Sequence, residues 1–549
     1  MRIVSKTSWK KQDQELQLEC KQGFFLEGTS MLGKSDTRLD FEDSTGWRER
    51  IPRRSFWWRF RLWADERLRD EDFSDLFSEV GRPSVSPARV VRGILVQLEK
   101  GYSDRELEEE SAFDDRVKLA LGMRRGEPGI DAATLCRHRR KLFSSGKAEG
   151  LLTKVVGLGR AEGVISEGAA LVVDSFLAEG AGARQDTVTL IRRAALRVLK
   201  TAQFHGVDLG VRLLRDDYGS KKKPAINWRD PSEKARLVET LVKDGRSLVG
   251  AVEQVADAPE ELREAAALLR VVTEQDIKED EKGIRIRDGV AKDRVLSVVD
   301  PEMRHGRKSA SKKVDGYKVH VAAGGDDGGF ITAVVVTAAN KGEGERLGEL
   351  IDSTEEKGVA VASVTGDTAY GGGPTRAQVT ERNVDLIAPV PPAPNPEGKI
   401  TKKDFEVNVE EGYVKCPAGV VTRRVDKGND GRGNRIPVFR FPAEECGRCP
   451  LKDICAPDKG GRRIRLNRYE GLLQEARKRE ATDEFKELYR KRCSVERTIC
   501  HMQRHGGRVS RYIGLAKTRF QMVMAAVLHD IKQLVKPREA PPKAALSTI

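Results

Sequence analysis

The sequence contains no long hydrophobic run, and it has few cysteines for its length. A membrane-spanning helix needs about 20 predominantly apolar residues, and no stretch of the 549 residues approaches that composition. The first residues, MRIVSKTSWKKQDQE, lack the apolar core of a secretory signal. Eight cysteines are too few for a disulfide scaffold in a chain of this size. We therefore expect an intracellular, cytoplasmic protein with no membrane partner.

Acidic residues are outnumbered by basic ones, and a nucleotide-binding loop is missing. The chain has 99 Lys and Arg against 85 Asp and Glu, which gives a net charge of +14. Such a charge favours a polyanionic partner, most commonly nucleic acid, although a solvated basic surface is the alternative. The Gly-rich stretch TGDTAYGGG lacks the Lys-Ser/Thr pair of a phosphate-binding loop. The length predicts several domains.

The N-terminal part of the chain reads as a polar arm followed by helices. Residues 1–50 are polar and show no sustained periodicity, and residues 1–80 are expected to form an arm that is only partly ordered. Residues 81–150 contain three short helical patterns, and the last one, ATLCRHRRKLF, is strongly basic through Arg139 and Arg140. This order predicts a helix-turn-helix-like DNA-binding domain. A helical bundle with a solvated basic face is the alternative.

The central part of the chain alternates short apolar runs with helical patterns, which predicts an α/β domain. This core is expected over residues 165–395, with a helical insertion at about 185–290. One apolar run ends in Asp174, and another is followed at once by Gly366 and Asp367. The expected strands cover residues 169–173, 317–322, 330–337, 359–364 and 384–390.

Three carboxylates occupy unusual places in this pattern. Asp174 and Asp367 are expected at strand ends, where side chains of an α/β sheet face the ligand-binding crevice. Glu496 lies on a basic helical segment whose apolar stripe, Val495 and Ile499 among its members, predicts packing on the sheet. Together the three carboxylates predict an oxygen-rich site for two Mg²⁺ or Mn²⁺ ions. The alternative for Glu496 is an i,i+4 salt bridge with Arg492.

The order of these elements resembles that of a DDE transposase of bacterial insertion sequences. Two motifs carry the resemblance: VTGDTAYGG around Asp367, and Tyr489-x2-Arg492-x3-Glu496, which is similar to the Tyr-Arg-Glu-Lys signature of one large transposase group. That signature has a Lys seven residues after its Glu, where this chain has Gln503 followed by Arg504. The likeness covers about residues 80 to 530.

The resemblance implies a fold and an activity. The fold is α/β, with an RNase H-like mixed sheet flanked by helices. An N-terminal all-α, helix-turn-helix-like domain precedes this core in the chain, and a small cysteine-containing segment is inserted into the core. The activity is metal-dependent cleavage and strand transfer at the inverted ends of an insertion sequence, on double-stranded DNA of the nucleoid, by a homodimer that pairs two ends. The alternative is a non-catalytic DNA-binding protein, either a regulator or an inactivated transposase. The residues expected to contact DNA are Tyr489, Arg492, Arg497, Gln503, Arg504, Arg139, Arg140 and Lys318.

A cysteine-rich insertion is expected at residues 396–468, after the proline-rich stretch APVPPAPNPEG. It holds Cys416, Cys446, Cys449 and Cys455, of which Cys446-x2-Cys449 has good zinc spacing. Structural Zn²⁺, an iron–sulfur cluster and free thiols are the three interpretations. Residues 469–535 then complete the core and carry Glu496, and residues 536–549 are expected to form a frayed tail.

Overall fold

The computed structural model describes residues 31–34, 46–78, 80–81, 83–281, 283–309, 311–325, 329–392, 398–431, 433–455 and 460–536. Much of the expected N-terminal arm, and the expected tail after Lys536, lie outside the described residues. The chain divides into two compact units, Met1–Leu151 with Asp530–Ile549, and Leu152–His529. None of the helices in the described part of the chain has the length and apolar character that a membrane span requires.

The regular secondary structure described in the first unit up to Leu151 is helical. The helices are α1 (Phe56–Arg67), α2 (Pro87–Lys100), α3 (Asp104–Phe113), α4 (Asp115–Leu121), α5 (Ala132–Ser144) and the start of α6 (Lys147–Ala161). A reciprocal cap begins α3: Ser103 accepts the Glu106 N–H, and the Glu106 carboxylate accepts the Ser103 N–H. Phe60 and Trp63 of α1 are buried, so two aromatic residues of this helix help to form the core of the unit.

The second unit is built on a mixed α/β core. In chain order its first elements are β1 (Ala169–Glu179), α7 (Thr187–Phe204), α8 (Pro231–Gln254), α9 (Glu260–Glu274), β2 (Ile277–Asp280), β3 (Gly283–Ile286), β4 (Arg304–Arg307), β5 (Lys313–Gly324), β6 (Phe330–Ala338), α10 (Leu347–Glu355), β7 (Val361–Thr365), α11 (Gly373–Thr380) and β8 (Asp385–Ile387). Helices α7 to α9 surround an apolar core of their own.

A six-stranded mixed sheet forms the centre of this core. Its order is β4-β5-β1-β7-β8, and β6 also pairs with β5. Strand β1 is antiparallel to β5 and parallel to β7, which is in turn parallel to β8. The long, Val-rich strands β5 and β6 are almost wholly buried, as expected of residues enclosed within a sheet with covered faces.

The sequence prediction that the first strand ends at Asp174 is wrong. Strand β1 continues for five residues, to Glu179. The reason is that β5 is twelve residues long and supplies hydrogen-bonding partners along this whole stretch, including Val321 opposite Asp174. Asp174 is nevertheless beyond the last residue that pairs with β7, because Val172 is the final partner on that side.

Two small sheets form the cysteine-containing segment. The first contains β9 (Glu406–Asn408), β10 (Tyr413–Lys415) and β11 (Val421–Thr422), and the second contains β12 (Val425–Asn429), β13 (Arg435–Arg440) and β14 (Arg463–Arg465). Two short helices, α12 (Ala443–Arg448) and α13 (Lys452–Cys455), lie between β13 and β14 in the chain.

Four helices follow: α14 (Glu470–Glu480), α15 (Asp483–Arg490), α16 (Cys493–Met502) and α17 (Leu515–Leu534). The single helical segment expected around Glu496 is therefore two helices, because Ser494 and Val495 bond back only three residues. Val495, Ile499 and Met502 are buried, which confirms the apolar stripe of α16.

Candidate active site

Asp174 and Asp367 are brought together by the parallel pairing of β1 with β7. Val172 pairs with Thr365, so each aspartate lies two residues beyond the same rung of the ladder. Side chains alternate between the two faces of a sheet along a strand. Since each aspartate is two residues from the Val172–Thr365 pair, both carboxylates are on the same face. Asp367 also caps a short 3₁₀ turn, where its carboxylate accepts the Ala369 N–H at 2.9 Å. The two aspartates, which the sequence predicts as parts of one site, therefore lie close together, and their role as metal ligands stays a prediction.

Glu343 is the third carboxylate of this cluster. Oxygen atoms of Asp174, Glu343 and Asp367 lie within 4.8 Å of one another. Glu343 precedes a short 3₁₀ turn in the connection from β6 to α10, and its carboxylate lies 3.4 Å from the Lys318 Nζ. Within the described residues, this is the one group of three or more potential metal ligands with such close spacing.

Burial and neighbouring charge act on Asp174 in the same direction. The pKa of Asp174 is raised to about 6, mainly by burial and in addition by the carboxylates of Asp367 and Glu343, whereas the Ser175 N–H and the Arg492 guanidinium lower it. The Ser175 N–H donates to the Asp174 carboxylate at 2.7 Å. The cost of several negative charges in one half-buried place is what a divalent cation relieves.

Glu496 lines the same cleft but is not part of the three-carboxylate cluster. Its Oε1 accepts a hydrogen bond from Arg492 Nη2 at 2.7 Å, which is the i,i+4 salt bridge considered as the alternative. Arg492 also places Nη1 3.6 Å from Asp174, so one guanidinium links both acidic groups. The side chain of Glu496 is 58% exposed, and nothing in the described contacts holds it except this arginine.

Basic side chains surround the carboxylates. The cleft has a volume of about 610 Å³. Its cationic lining consists of Arg307, Lys308, Lys312, Lys318 and Arg492. Such a cleft attracts a phosphodiester backbone to an acidic centre that on its own repels it.

The remaining residues predicted near Glu496 are distributed around the cleft. Lys318 and Gln503 line it, and the Lys318 Nζ also donates to the Lys341 carbonyl at 2.8 Å. Tyr489 is half-buried and stacks on Phe485 with a centroid distance of 5.8 Å. Burial raises the pKa of the Tyr489 phenol. Arg497 and Arg504 are exposed.

The two arginines predicted to bind DNA in α5 have different surroundings. Arg139 donates to Asp104 of α3 at 2.6 and 3.0 Å and to Gln97 of α2 at 3.1 Å. Arg140 is exposed. The described contacts therefore leave Arg140 the better placed of the two to reach a partner.

The four cysteines proposed as zinc ligands line a separate cavity of about 230 Å³ in the small sheets. They are Cys416, Cys446, Cys449 and Cys455.

Sequence reasoning did not find Glu343 or the basic residues of the β4–β5 turn. The run GRKSASKK, residues 306–313, contains Arg307, Lys308 and Lys312 and is a visible signal of a basic loop. Glu343 has no such signal, because it lies in an irregular connection and approaches Asp174 only through the pairing of β6 and β1 with β5.

The donor atoms of the cluster suit a hard divalent cation. Carboxylate oxygens are the ligands that Mg²⁺ and Mn²⁺ prefer. Asp174, Glu343 and Asp367 supply three such ligand oxygens within 4.8 Å of one another.

Two parts of the chain match known protein families. Residues 415–535 match the model described as transposase DDE domain, and residues 46–141 match the model described as transposase domain (DUF772). The first match includes Glu496 and the four cysteines, and the second includes Arg139 and Arg140. No curated protein and no solved structure matches the chain.

Proposed function

Because the two matched domains support a DDE transposase of insertion-sequence type, we propose that the chain cuts DNA at the inverted ends of an insertion sequence and joins those ends to target DNA. Water attacks a phosphodiester at the element end, and the bond to the 3′ oxygen breaks. The freed 3′-hydroxyl then attacks a phosphodiester of the target and displaces its 3′ oxygen. No covalent link between protein and DNA is involved.

The observation that carries this proposal is the carboxylate cluster within a cationic cleft. Asp174, Glu343 and Asp367 give a concentrated negative charge, and at least five Lys and Arg side chains line the same space. A cleft that only holds DNA gains nothing from three carboxylates, since they repel phosphate. The combination is therefore typical of a site that binds DNA and also holds metal.

Asp174 and Asp367 are proposed as metal ligands fixed by the sheet. Divalent ions held by the two aspartates would lower the pKa of a water and would neutralise charge on the attacking and leaving oxygens. The rigid parallel pairing of β1 with β7 fixes the separation of the two aspartates. Arg492 offsets their charge in the absence of metal through its contact with Asp174.

Glu496 is proposed as the ligand that completes the site. In the described contacts its carboxylate is paired with Arg492, so it must exchange this partner for metal when DNA binds. Arg492 is then free to contact phosphate. Glu343 is proposed as a further ligand, because its oxygen is already near those of both aspartates.

We also propose an RNase H-like core, a DNA-binding role for residues 81–150 and a homodimer. The mixed sheet, with β1 between an antiparallel and a parallel neighbour, supports an RNase H-like core, and the helices of the first unit support a DNA-binding role for residues 81–150. A homodimer is proposed because the two ends of one element have to be joined in one reaction. The exposed Arg497 and Arg504, together with Tyr489, Gln503 and Lys318, are proposed to contact DNA.

Cleavage of a labelled element end tests this function. The substrate is the inverted repeat expected in the DNA that flanks the gene, incubated with Mg²⁺, Mn²⁺ or Ca²⁺. We expect cutting with the first two ions and binding with little cutting with Ca²⁺, whose larger coordination shell positions oxygens poorly. Asp174→Asn, Asp367→Asn and Glu496→Gln should each reduce cutting by at least about 100-fold while DNA binding persists, because each removes one ligand charge at nearly constant volume.

Matched variants separate the roles of the two glutamates. Glu345→Gln changes an exposed carboxylate two residues from Glu343, and Glu487→Gln breaks an exposed ion pair with Arg490 that resembles the one at Glu496. Both should cut at the wild-type rate. If Glu496→Gln also does so while Glu343→Gln is inactive, Glu343 is the third ligand and Glu496 is a salt-bridge partner. Binding without cutting by the wild type in every ion supports a non-catalytic DNA-binding protein instead.

A further inference from the structure

Four cysteines line one cavity in the small sheets: three are close in sequence, and Cys416 comes from an earlier turn. Cys416 follows β10, in a tight turn in which the Cys416 N–H donates to the Val420 carbonyl at 2.9 Å. Cys446 lies in α12, Cys449 directly after it, and Cys455 at the end of α13. All four line the same space of about 230 Å³, and none forms a disulfide.

Cationic groups lie around the cavity. The Arg462 N–H donates to the Cys446 sulfur at 3.4 Å, a contact that stabilises negative charge on sulfur. The Arg462 guanidinium donates to the carbonyls of Cys455 and Ile400 at 2.6 and 3.0 Å, which fixes it at the cavity wall. Arg448 and Lys452 also line the space together with Glu445, so three cations face one carboxylate and the four cysteines.

The apolar core of this segment is too small to explain its order. It consists of six buried side chains, Phe405, Val414, Phe439, Phe441, Ile464 and Leu466. The six strands are two to six residues long. Sheets with so little buried apolar surface usually need a disulfide or a metal as a cross-link. The cavity lies against this core, because Cys416, Cys446 and Cys455 pack on it.

We propose that Cys416, Cys446, Cys449 and Cys455 bind one Zn²⁺ that stabilises the small sheets. The Cys446-x2-Cys449 pair has the spacing found in zinc knuckles, and four sulfur ligands give the closed tetrahedral set of a structural site. Among the described residues only the three carboxylates bring their ligand atoms within 4.8 Å of one another. The cysteine side chains must therefore rotate inward to bind the ion. This site is independent of the cleavage chemistry and of the carboxylate cluster.

The test measures zinc in the purified full chain together with its thermal unfolding. We expect about one zinc per chain, and a fall to less than about half of that in Cys449→Ser, because loss of one thiolate weakens a four-ligand site. Cys449 is the informative position, since it is the one of the four that is not among the residues packed on the small core. Cys493→Ser is the control, because Cys493 is exposed on α16, and it should keep its zinc.

Limited proteolysis of the wild type is a second test, which does not depend on whether Cys449→Ser folds. A zinc-selective chelator added to the wild type should make residues 398–466 sensitive to protease, and added zinc should restore resistance. Wild-type protein without zinc, iron in place of zinc, or full zinc retention by Cys449→Ser would each overturn the proposal. Cleavage activity plays no part in these outcomes, so they stand whether or not the chain is a transposase.

Discussion

Asp174 is a carboxylate that the proposed chemistry needs in its charged form, although the fold places it in a mostly buried position. It lies within a strand whose neighbours are apolar, its side chain is only 17% exposed, and two further carboxylates are close to it. The charge is tolerated because Asp174 lies beyond the last residue that pairs with β7, where the Arg492 guanidinium is 3.6 Å from its carboxylate. The residue is therefore a source of instability in the metal-free protein.

This instability predicts a pH effect. The pKa of Asp174 is raised from 3.8 to about 6, so the folded protein holds this proton more tightly than the unfolded chain. Folding then loses free energy as the pH rises from about 4 to 6, and the loss is complete above that range. Without metal, Asp174→Asn should be more stable than the wild type at pH 8 by up to about 3 kcal/mol and equal to it at pH 4.

Thermal unfolding with a chelator present, at both pH values, checks this prediction. Asp483→Asn is the control, because its side chain is 97% exposed, and it should show no pH-dependent difference. Mg²⁺ should raise the melting temperature of the wild type more than that of Asp174→Asn, since only the folded site binds the ion. Equal stability of wild type and Asp174→Asn at pH 8 would contradict the prediction.

The sequence is a good guide to Asp174 and Asp367 and a poor one to Glu343. Apolar runs that end in acidic residues are visible in one dimension, and the strands β1 and β7 follow from them. The extension of β1 past Asp174 is not visible, because it depends on the length of β5. Glu343 approaches Asp174 through three strand pairings, and no local pattern records that approach.

Among the elements, α5 shows how a basic helix divides its charges between packing and surface. Arg139 joins α5 to α2 and α3 through Gln97 and Asp104, whereas Arg140 is exposed. A sequence pattern counts both residues as equally basic. The difference depends on which face of α5 is turned toward the neighbouring helices.

The two arginines are therefore expected to respond differently to alanine. Arg139→Ala should lower the free energy of unfolding by about 1–3 kcal/mol, because it leaves Asp104 without its charged donor. Arg140→Ala should leave stability unchanged and weaken binding to an element end. Chemical denaturation and a DNA-binding titration of both variants measure the two effects. Unchanged DNA affinity in Arg140→Ala would remove α5 from the proposed DNA contact.

The break between α15 and α16 has a consequence for the site. The tight turn at Ser494 and Val495 separates the two helices and begins α16 just after Arg492. Arg492 can thereby contact Asp174 while it pairs with Glu496 one turn later. Periodicity alone predicts one continuous helix, because neither Gly nor Pro marks the break.

The net charge of the protein, +14, should make its DNA binding strongly dependent on salt concentration. Lys308 and Lys312 are exposed at the wall of the cleft. Replacing both with Ala should make the slope of log affinity against log salt shallower by about one unit per lost phosphate contact. Lys243→Ala, which removes a cation paired with Glu239 on α8, should leave the slope unchanged. A slope unaffected by the double variant would place the backbone contacts elsewhere.

The long separation between the parts of the site also has a consequence for protein synthesis. Asp174, Glu343 and Asp367 all precede the small sheets in the chain, whereas Arg492 and Glu496 follow them, and Val509 bridges to the end of β1 later still. A ribosome therefore releases the three carboxylates, together with the cationic cleft residues Arg307, Lys308, Lys312 and Lys318, before Arg492 and the glutamate proposed to complete the site. Until the last helices emerge, Asp174 of the nascent chain lacks the guanidinium that lies next to it in the folded protein, and the proposed cutting site stays incomplete.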